Sequence, residues 1–274
     1  MFKSDHIIYI QMQKTGCTHI ASLLSSLFNG EQIGKHNAAP ADDITQKDRF
    51  FLSSIRNPWD WYLSLWTYGI QGGGGLRNRL TTRNLTRSLS QTMKNPTENH
   101  RSLFDELTKN VKLWDNLYSD SNDINSFRKW LKHIHEPSNS RYLGEGYGNT
   151  KIYSFCGFMT YRYLYLCCQN IDLLKKSKTV SNFQDLVQFD QANCYIDFFV
   201  RQESLESDFC EAIEKIRSLS DEERALIYEA KKTNTSKRKL LISDYYDDET
   251  IDLILTRDAL LIEKFGYTPP TSIV

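Results

Sequence analysis

The segment Gln13-Lys14-Thr15-Gly16-Cys17-Thr18 places a lysine, a glycine and two threonines between an apolar run and a helical pattern. A loop in that position aims backbone N–H groups and the positive end of a helix at one point, and the lysine and hydroxyls complete a cradle for phosphate or sulfate. Its other reading is a structural turn with a solvated lysine. It is not a G-x-x-x-x-G-K-[ST] loop, because Met12 and Gln13 stand beside the lysine. Nor does a hydrophobic strand end in an aspartate suited to magnesium, which weighs against a nucleoside triphosphatase. A second segment, Ser54-Ile55-Arg56-Asn57-Pro58, puts Arg56 at a strand end, with Ser64 about two helical turns later. Parallel neighbours end at one sheet edge, so Arg56 is expected beside the first loop, offering a guanidinium fork to a second anion. Two anion sites on one edge imply a ligand with two separated phosphates.

Of six histidines, His36 in Ile33-Gly34-Lys35-His36-Asn37 is best placed to act as a base. It follows a short strand-like stretch after the first helix, so it should emerge at the same edge, and a near-neutral imidazole suits proton removal at pH 7. A loop histidine without catalytic role is the alternative. His19 is the nearest rival, one residue past the cradle. His100, His133 and His135 fall in a less patterned region, and the H-x-H pair lacks a third metal ligand at sensible spacing, so both are expected at the surface.

Strands alternating with helices would position these groups. His6–Met12, Phe50–Ile55 and Tyr195–Val200 read as buried strands. Helical patterns follow them over Thr18–Phe28, Trp59–Tyr68 and Leu205–Ile216. The alternation predicts an α/β fold whose mainly parallel sheet is covered on both faces. The region 70–150 loses the pattern: Gly72–Gly75 are followed by Arg77, Arg79, Arg83, Arg87, Lys94 and Arg101. It reads as an insertion within a single domain spanning 1–274, either a solvated loop with short helices or an acceptor-binding lid with a basic face. Ile152–Leu166 is dense in aromatics and expected in the core, with Tyr and Arg tips able to reach a cleft. One helix is expected over Glu249–Phe265.

Composition narrows the classes. With 34 Lys plus Arg against 34 Asp plus Glu, the net charge of the 274 residues is zero, so no general attraction to nucleic acid or anionic membrane is expected and any anion site must be local. No apolar run approaches the ~18 residues of a membrane span, and the N-terminal segment turns polar too soon for a signal peptide. Six cysteines without a C-x-x-C pair indicate neither a disulfide framework nor a zinc ribbon. A soluble protein in a reducing, cytoplasmic compartment is expected, a truncated Golgi-type lumenal domain being the other option.

The ordered motifs resemble the sulfotransferases that use 3′-phosphoadenosine 5′-phosphosulfate (PAPS). Lys14-Thr15-Gly16-Cys17-Thr18 is similar to the family's P-K-T-G-[GS]-T loop, which binds the 5′-phosphosulfate. Arg56-Asn57-Pro58 with Ser64 is similar to its R-[DN]-P-x-x-x-x-x-S segment, which binds the 3′-phosphate. Phe198–Phe209 resembles its R-x-E-x-L-x-x-D-F segment. Lys35-His36, Asn234–Tyr246 and Phe265-Gly266-Tyr267 resemble the bacterial and Golgi-type carbohydrate branch. Roughly half the chain is covered. The resemblance implies a P-loop-like three-layer fold with a largely helical insertion. It also implies transfer of a sulfuryl group from PAPS to a carbohydrate hydroxyl, oligo- and polysaccharides included, leaving adenosine 3′,5′-bisphosphate. Lys14 would stabilise the leaving oxygen and His36 would act as base. Thr15, Gly16, Cys17, Thr18, Arg56 and Ser64 would bind the donor, and no metal is expected. The chain departs from the pattern at Gln13, Cys17 and Trp61, the last where a second arginine is frequent. The basic run Ser236-Lys237-Arg238-Lys239 is the natural substitute cation for the 3′-phosphate, or else a solvated charge run. Competing classes are an ATP-dependent P-loop phosphotransferase, a sulfotransferase for a small non-sugar alcohol, and a non-catalytic nucleotide-binding module.

Overall fold

The computed structural model describes residues 1–46, 48–94, 103–175, 179–230 and 240–270. Five strands form one mixed sheet in the order β3-β1-β2-β4-β5: β1 (Phe2–Ser4), β2 (Ile7–Ile10), β3 (Gly30–Gln32), β4 (Phe50–Ile55) and β5 (Phe198–Arg201). β2, β4 and β5 are parallel, Ile8 opposite Phe51 and Ser53 opposite Phe199. β1 is antiparallel to both β2 and β3. The expected mainly parallel sheet is therefore half antiparallel: Phe2–Ser4, not read as a strand in the sequence, turns back on β2 through Asp5 and His6. Two antiparallel steps restore direction, so β3 runs with β2 and the chain leaving it emerges at the edge where β2, β4 and β5 end.

All four residues of β2 are fully buried. Their alternation sends Ile8 and Ile10 into one apolar cluster and Ile7 and Tyr9 into another, so both faces of the sheet are covered. The smaller cluster is built with α1 (Cys17–Leu27) and, later in the chain, Leu205–Glu214. The larger is built with α2 (Pro58–Ile70), α3 (Gly75–Thr81), α4 (Ile124–His135), α5 (Phe158–Cys167), α6 (Phe183–Asn193), α8 (Asp248–Arg257) and α9 (Ala259–Phe265), the segment Leu205–Glu214 of the other face being α7. Asn57 caps α2 through the Trp59 N–H, and Pro58 occupies its first turn, where no backbone donor is needed.

Region 70–150 is not a solvated appendage. All five tryptophans of the chain are buried, and Trp114 and Trp130 share a cluster with Trp59, Trp61 and Trp66 of α2. Indole N–H groups stitch the layers: Trp66 donates to the Leu117 carbonyl and Trp130 to the Tyr118 hydroxyl, each at 2.7 Å. His135 is likewise buried rather than at the surface, Nδ1 donating to the Leu131 carbonyl and Nε2 lying 3.2 Å from the Tyr62 hydroxyl.

The helix expected over 249–265 is broken at Asp258, which ends α8 and starts α9. Its buried carboxylate accepts from Tyr62 Oη at 2.9 Å, the Thr160 N–H at 2.9 Å and Thr160 Oγ1 at 2.7 Å, locking α2, α5 and α8 together. Burial lifts its pKa to about 6 despite these donors. Asp258→Ala leaves three buried donors without an acceptor, so a loss of about 2–4 kcal/mol in urea unfolding is expected. Asp258→Asn, which keeps an acceptor oxygen, should lose less.

Candidate functional site

Where β2 ends, the chain turns through Gln11–Gly16 into α1. Lys14 and Gly16 both take the left-handed conformation, at φ 63° and 75°. The positive φ of Gly16 favours glycine, and a Cβ there would sit 2.7 Å from Leu205 Cδ1, which would have to shift. Three consecutive carbonyls of this loop are tied back. Met12 accepts from Thr15 Oγ1 at 2.8 Å, Gln13 from Trp61 Nε1 at 2.7 Å and Lys14 from Arg56 Nη1 at 3.0 Å. A trans peptide points its N–H opposite its carbonyl, so the amides of residues 13, 14 and 15 face the other way. α1 follows with no side chain capping its first turn.

Thr15 is therefore not a ligand-facing hydroxyl. It is fully buried, and its Oγ1 lies 2.7 Å from Ser54 Oγ, which is in turn 2.7 Å from Tyr9 Oη. This chain of hydroxyls rivets the loop to β4. Trp61 is a structural donor to the same loop.

The remaining sequence-predicted residues described by the structure converge. Lys14, Gly16, Cys17, Thr18, His36, Arg56 and Ser64 all line one cavity of about 980 Å³. His19 lines it from α1. Ser236, Lys237, Arg238 and Lys239 lie outside the described residues, as do His100 and Arg101.

Charge is concentrated on this wall. Lys14, Lys35, Arg56, Arg79 and Arg162 line the cavity, and Glu145 is its one acidic lining residue among those described. Burial and the neighbouring Arg56 hold the Lys14 pKa down at about 8. Its ammonium lies 4.0 Å above the Tyr68 ring, which attracts it without neutralising it. Tyr68 is itself wrapped by the glycine run: a Cβ on Gly73 would come within 2.5 Å of its ring. Arg56 is committed, Nε and Nη2 donating to Asp60 and Nη1 to the Lys14 carbonyl. Arg162 is buried in α5, paired with Glu145, its pKa lowered to about 9 by burial and by Arg79.

His36 lies between these cations. Its Nδ1 is 2.8 Å from the Gln11 carbonyl, which can only accept, so Nδ1 carries the hydrogen and Nε2 the lone pair. Burial first, then Arg162, Lys35 and the N-terminal ammonium, lower its pKa to about 4, and the imidazole is neutral at pH 7. Lys35 also donates to Thr18 Oγ1 at 3.0 Å.

Backbone strain marks the same place. Among the described residues four non-glycines have positive φ, and three of them, Lys14, His36 and Glu145, line the cavity. Sequence reasoning missed Tyr68 and Glu145, whereas Arg162, an arginine tip of the aromatic run, and Arg79 of the basic stretch do reach the cleft. The signals available were a lone arginine within the aromatic run FMTYRYLYL and the glycines on either side of Glu145. No family model matches the chain, and no curated protein or solved structure matches it.

The arrangement can bind an anion and accept a proton beside it. Its electrostatics are testable without any ligand: in competitive acylation Lys14 should titrate near pH 8, well below surface lysines. Arg56→Met should move that midpoint upward by removing the adjacent positive charge, and a midpoint unchanged from surface lysines would contradict this reading of the wall.

Proposed function

We propose that the protein is a sulfotransferase that moves the sulfuryl group of PAPS to a carbohydrate hydroxyl. The observation that carries the reading is that the Lys14 loop, the Arg56–Ser64 segment and His36 line one cavity. Support also comes from the parallel run β2-β4-β5, which suits the P-loop-like layering of the resembling family.

In this reading the loop amides and the first turn of α1 hold the 5′-phosphosulfate, and Lys14 places its ammonium on the bridge oxygen that leaves. Arg56 and Ser64 bind the 3′-phosphate, which competes with Asp60 for the guanidinium. His36 takes the acceptor proton on Nε2 as the acceptor oxygen forms its bond to sulfur and the bond from sulfur to the bridge oxygen breaks; adenosine 3′,5′-bisphosphate departs. A base with a pKa near 4 is weak when the cavity is empty, but a bound polyanion adds negative charge beside the ring and raises its proton affinity. The five cations supply charge that magnesium would supply to a triphosphate, and no metal is assigned. Arg79, Glu145 and Arg162 form the acceptor end, where a carboxylate and guanidinium groups can bracket sugar hydroxyls.

Calorimetry separates the classes: adenosine 3′,5′-bisphosphate should bind, and ATP with magnesium should not. The reverse preference would replace sulfuryl transfer with phosphoryl transfer. Affinity for the bisphosphate should fall as pH rises past about 8, because free Lys14 then loses the charge that the anion needs, and Lys14→Met should flatten that limb. His36→Ala should reduce transfer to a glycan panel by ~10²–10⁴-fold while leaving bisphosphate affinity within a few-fold.

A further inference from the structure

At the C-terminal end of α5, away from the residues that line the cavity, Cys168 and Cys194 face each other. They form an antiparallel bridge between the end of α5 and the chain leaving α6. Its hydrogen bonds run from the Gln169 N–H to the Asn193 carbonyl at 3.0 Å and from the Tyr195 N–H to the Cys167 carbonyl at 3.1 Å. The cysteines are thus the residues between the bonds, the non-hydrogen-bonded kind of pair, whose Cα atoms approach to about 4.5 Å. That spacing falls in the range of about 4.4–6.8 Å that a disulfide spans without moving the backbone. Both thiols are free, and their sulfurs lie within 4.8 Å of each other.

The surroundings differentiate the two sulfurs. Cys168 is buried, whereas Cys194 is the one cysteine of the six that is not. Tyr163 Oη donates to Asp190 Oδ1 at 2.6 Å and lies 3.4 Å from Cys194 Sγ, and Cys168 Sγ lies 3.8 Å from the same carboxylate oxygen. Lys264 of α9 sits 2.6 Å from Asp190 Oδ2 and 2.7 Å from Tyr163 Oη. A hydrogen bond from Cys168, with Tyr163 and Lys264 adding to it, lowers the Cys194 pKa, while the same hydrogen bond and burial raise that of Cys168. The less buried cysteine carries the more acidic thiol and is the nucleophile, with the protonated Cys168 thiol opposite it to resolve the product.

We propose that Cys168 and Cys194 form a reversible disulfide on exposure to a peroxide. The Cys194 thiolate attacks a peroxide oxygen, the O–O bond breaks, and Cys194 sulfenic acid forms as hydroxide leaves. The Cys168 sulfur then attacks the sulfenic sulfur; the S–S bond forms, the S–O bond breaks, and the departing hydroxide takes the Cys168 proton as water. In sum two thiols give up two electrons, and hydrogen peroxide is reduced to two waters. A thiol reductant reverses the bond by exchange. Asp190 with the two sulfurs also resembles a three-ligand metal cluster, but the Lys264 ammonium already occupies that carboxylate, and a cation there would meet like charge.

The test uses the full chain, reduced, desalted, and treated with hydrogen peroxide before non-reducing peptide mapping. Titratable thiols are expected to fall from six to four, with a Cys168–Cys194 linked peptide that dithiothreitol removes. In Cys168→Ser, Cys194 should be trapped as a sulfenic acid by dimedone; in Cys194→Ser, Cys168 should stay unmodified. Cys194 driven to sulfinic acid in the wild-type protein with Cys168 still a free thiol would overturn the proposal, as would a different pairing. Zinc that binds stoichiometrically and blocks the linked peptide would assign the cluster to metal instead. The wild-type map decides the matter even if a variant fails to fold, and its result is independent of any transferase activity.

Discussion

Like charges are crowded where β2, β4 and β5 end, and the surrounding structure holds them there. A neutral chain has placed five cations around one cavity with a single acidic residue in its lining among those described. Two of the charges are compensated locally, Arg56 by Asp60 and Arg162 by Glu145. Among the described residues Lys14 has only the face of Tyr68, an attraction of ~0.5–2 kcal/mol that leaves its full charge available. Desolvation and repulsion from Arg56 lower the Lys14 pKa, and an anion entering the cavity offsets both by direct attraction.

Hydrogen bonds to the loop backbone and among buried polar groups hold that wall together. The loop carbonyls of residues 12–14 are engaged by Thr15, Trp61 and Arg56. Arg56 thus does two things: it contributes charge, and it fixes the peptide whose side chain is Lys14. Asp258, Tyr62 and Thr160 set α5 against α2, which fixes Arg162 relative to Arg56. The cavity is as rigid as this buried polar network, whose members are costly to leave unpaired.

His36 illustrates how tautomer and location are decided together. The Gln11 carbonyl belongs to the same turn that carries Lys14, so proton acceptor and cation are placed by one piece of backbone. Its left-handed φ of 61° is an uncommon conformation for a histidine, sustained here by that hydrogen bond and by packing.

The order of strands and helices, the edge at which their loops emerge, and the pairing of Lys14 with Arg56 and Ser64 were legible in the sequence. They follow from local pattern: a buried strand is a run of apolar residues, and parallel neighbours end together. Phe2–Ser4 escaped because a three-residue strand has too little periodicity to register. The tryptophan-rich packing of 70–150 escaped because basic residues dominate the composition while the burial is carried by a few large side chains spaced far apart. Tyr68 and Glu145 joined the site only through tertiary structure, and so did the pairing of Glu145 with Arg162, since no spacing rule links a glycine turn at 144–146 to a helix at 158–167 and a loop at 14. Sequence alone determined which groups could bind an anion and on which edge. Folding decided which of them keep their charge unpaired, because compensation depends on partners brought together from distant parts of the chain.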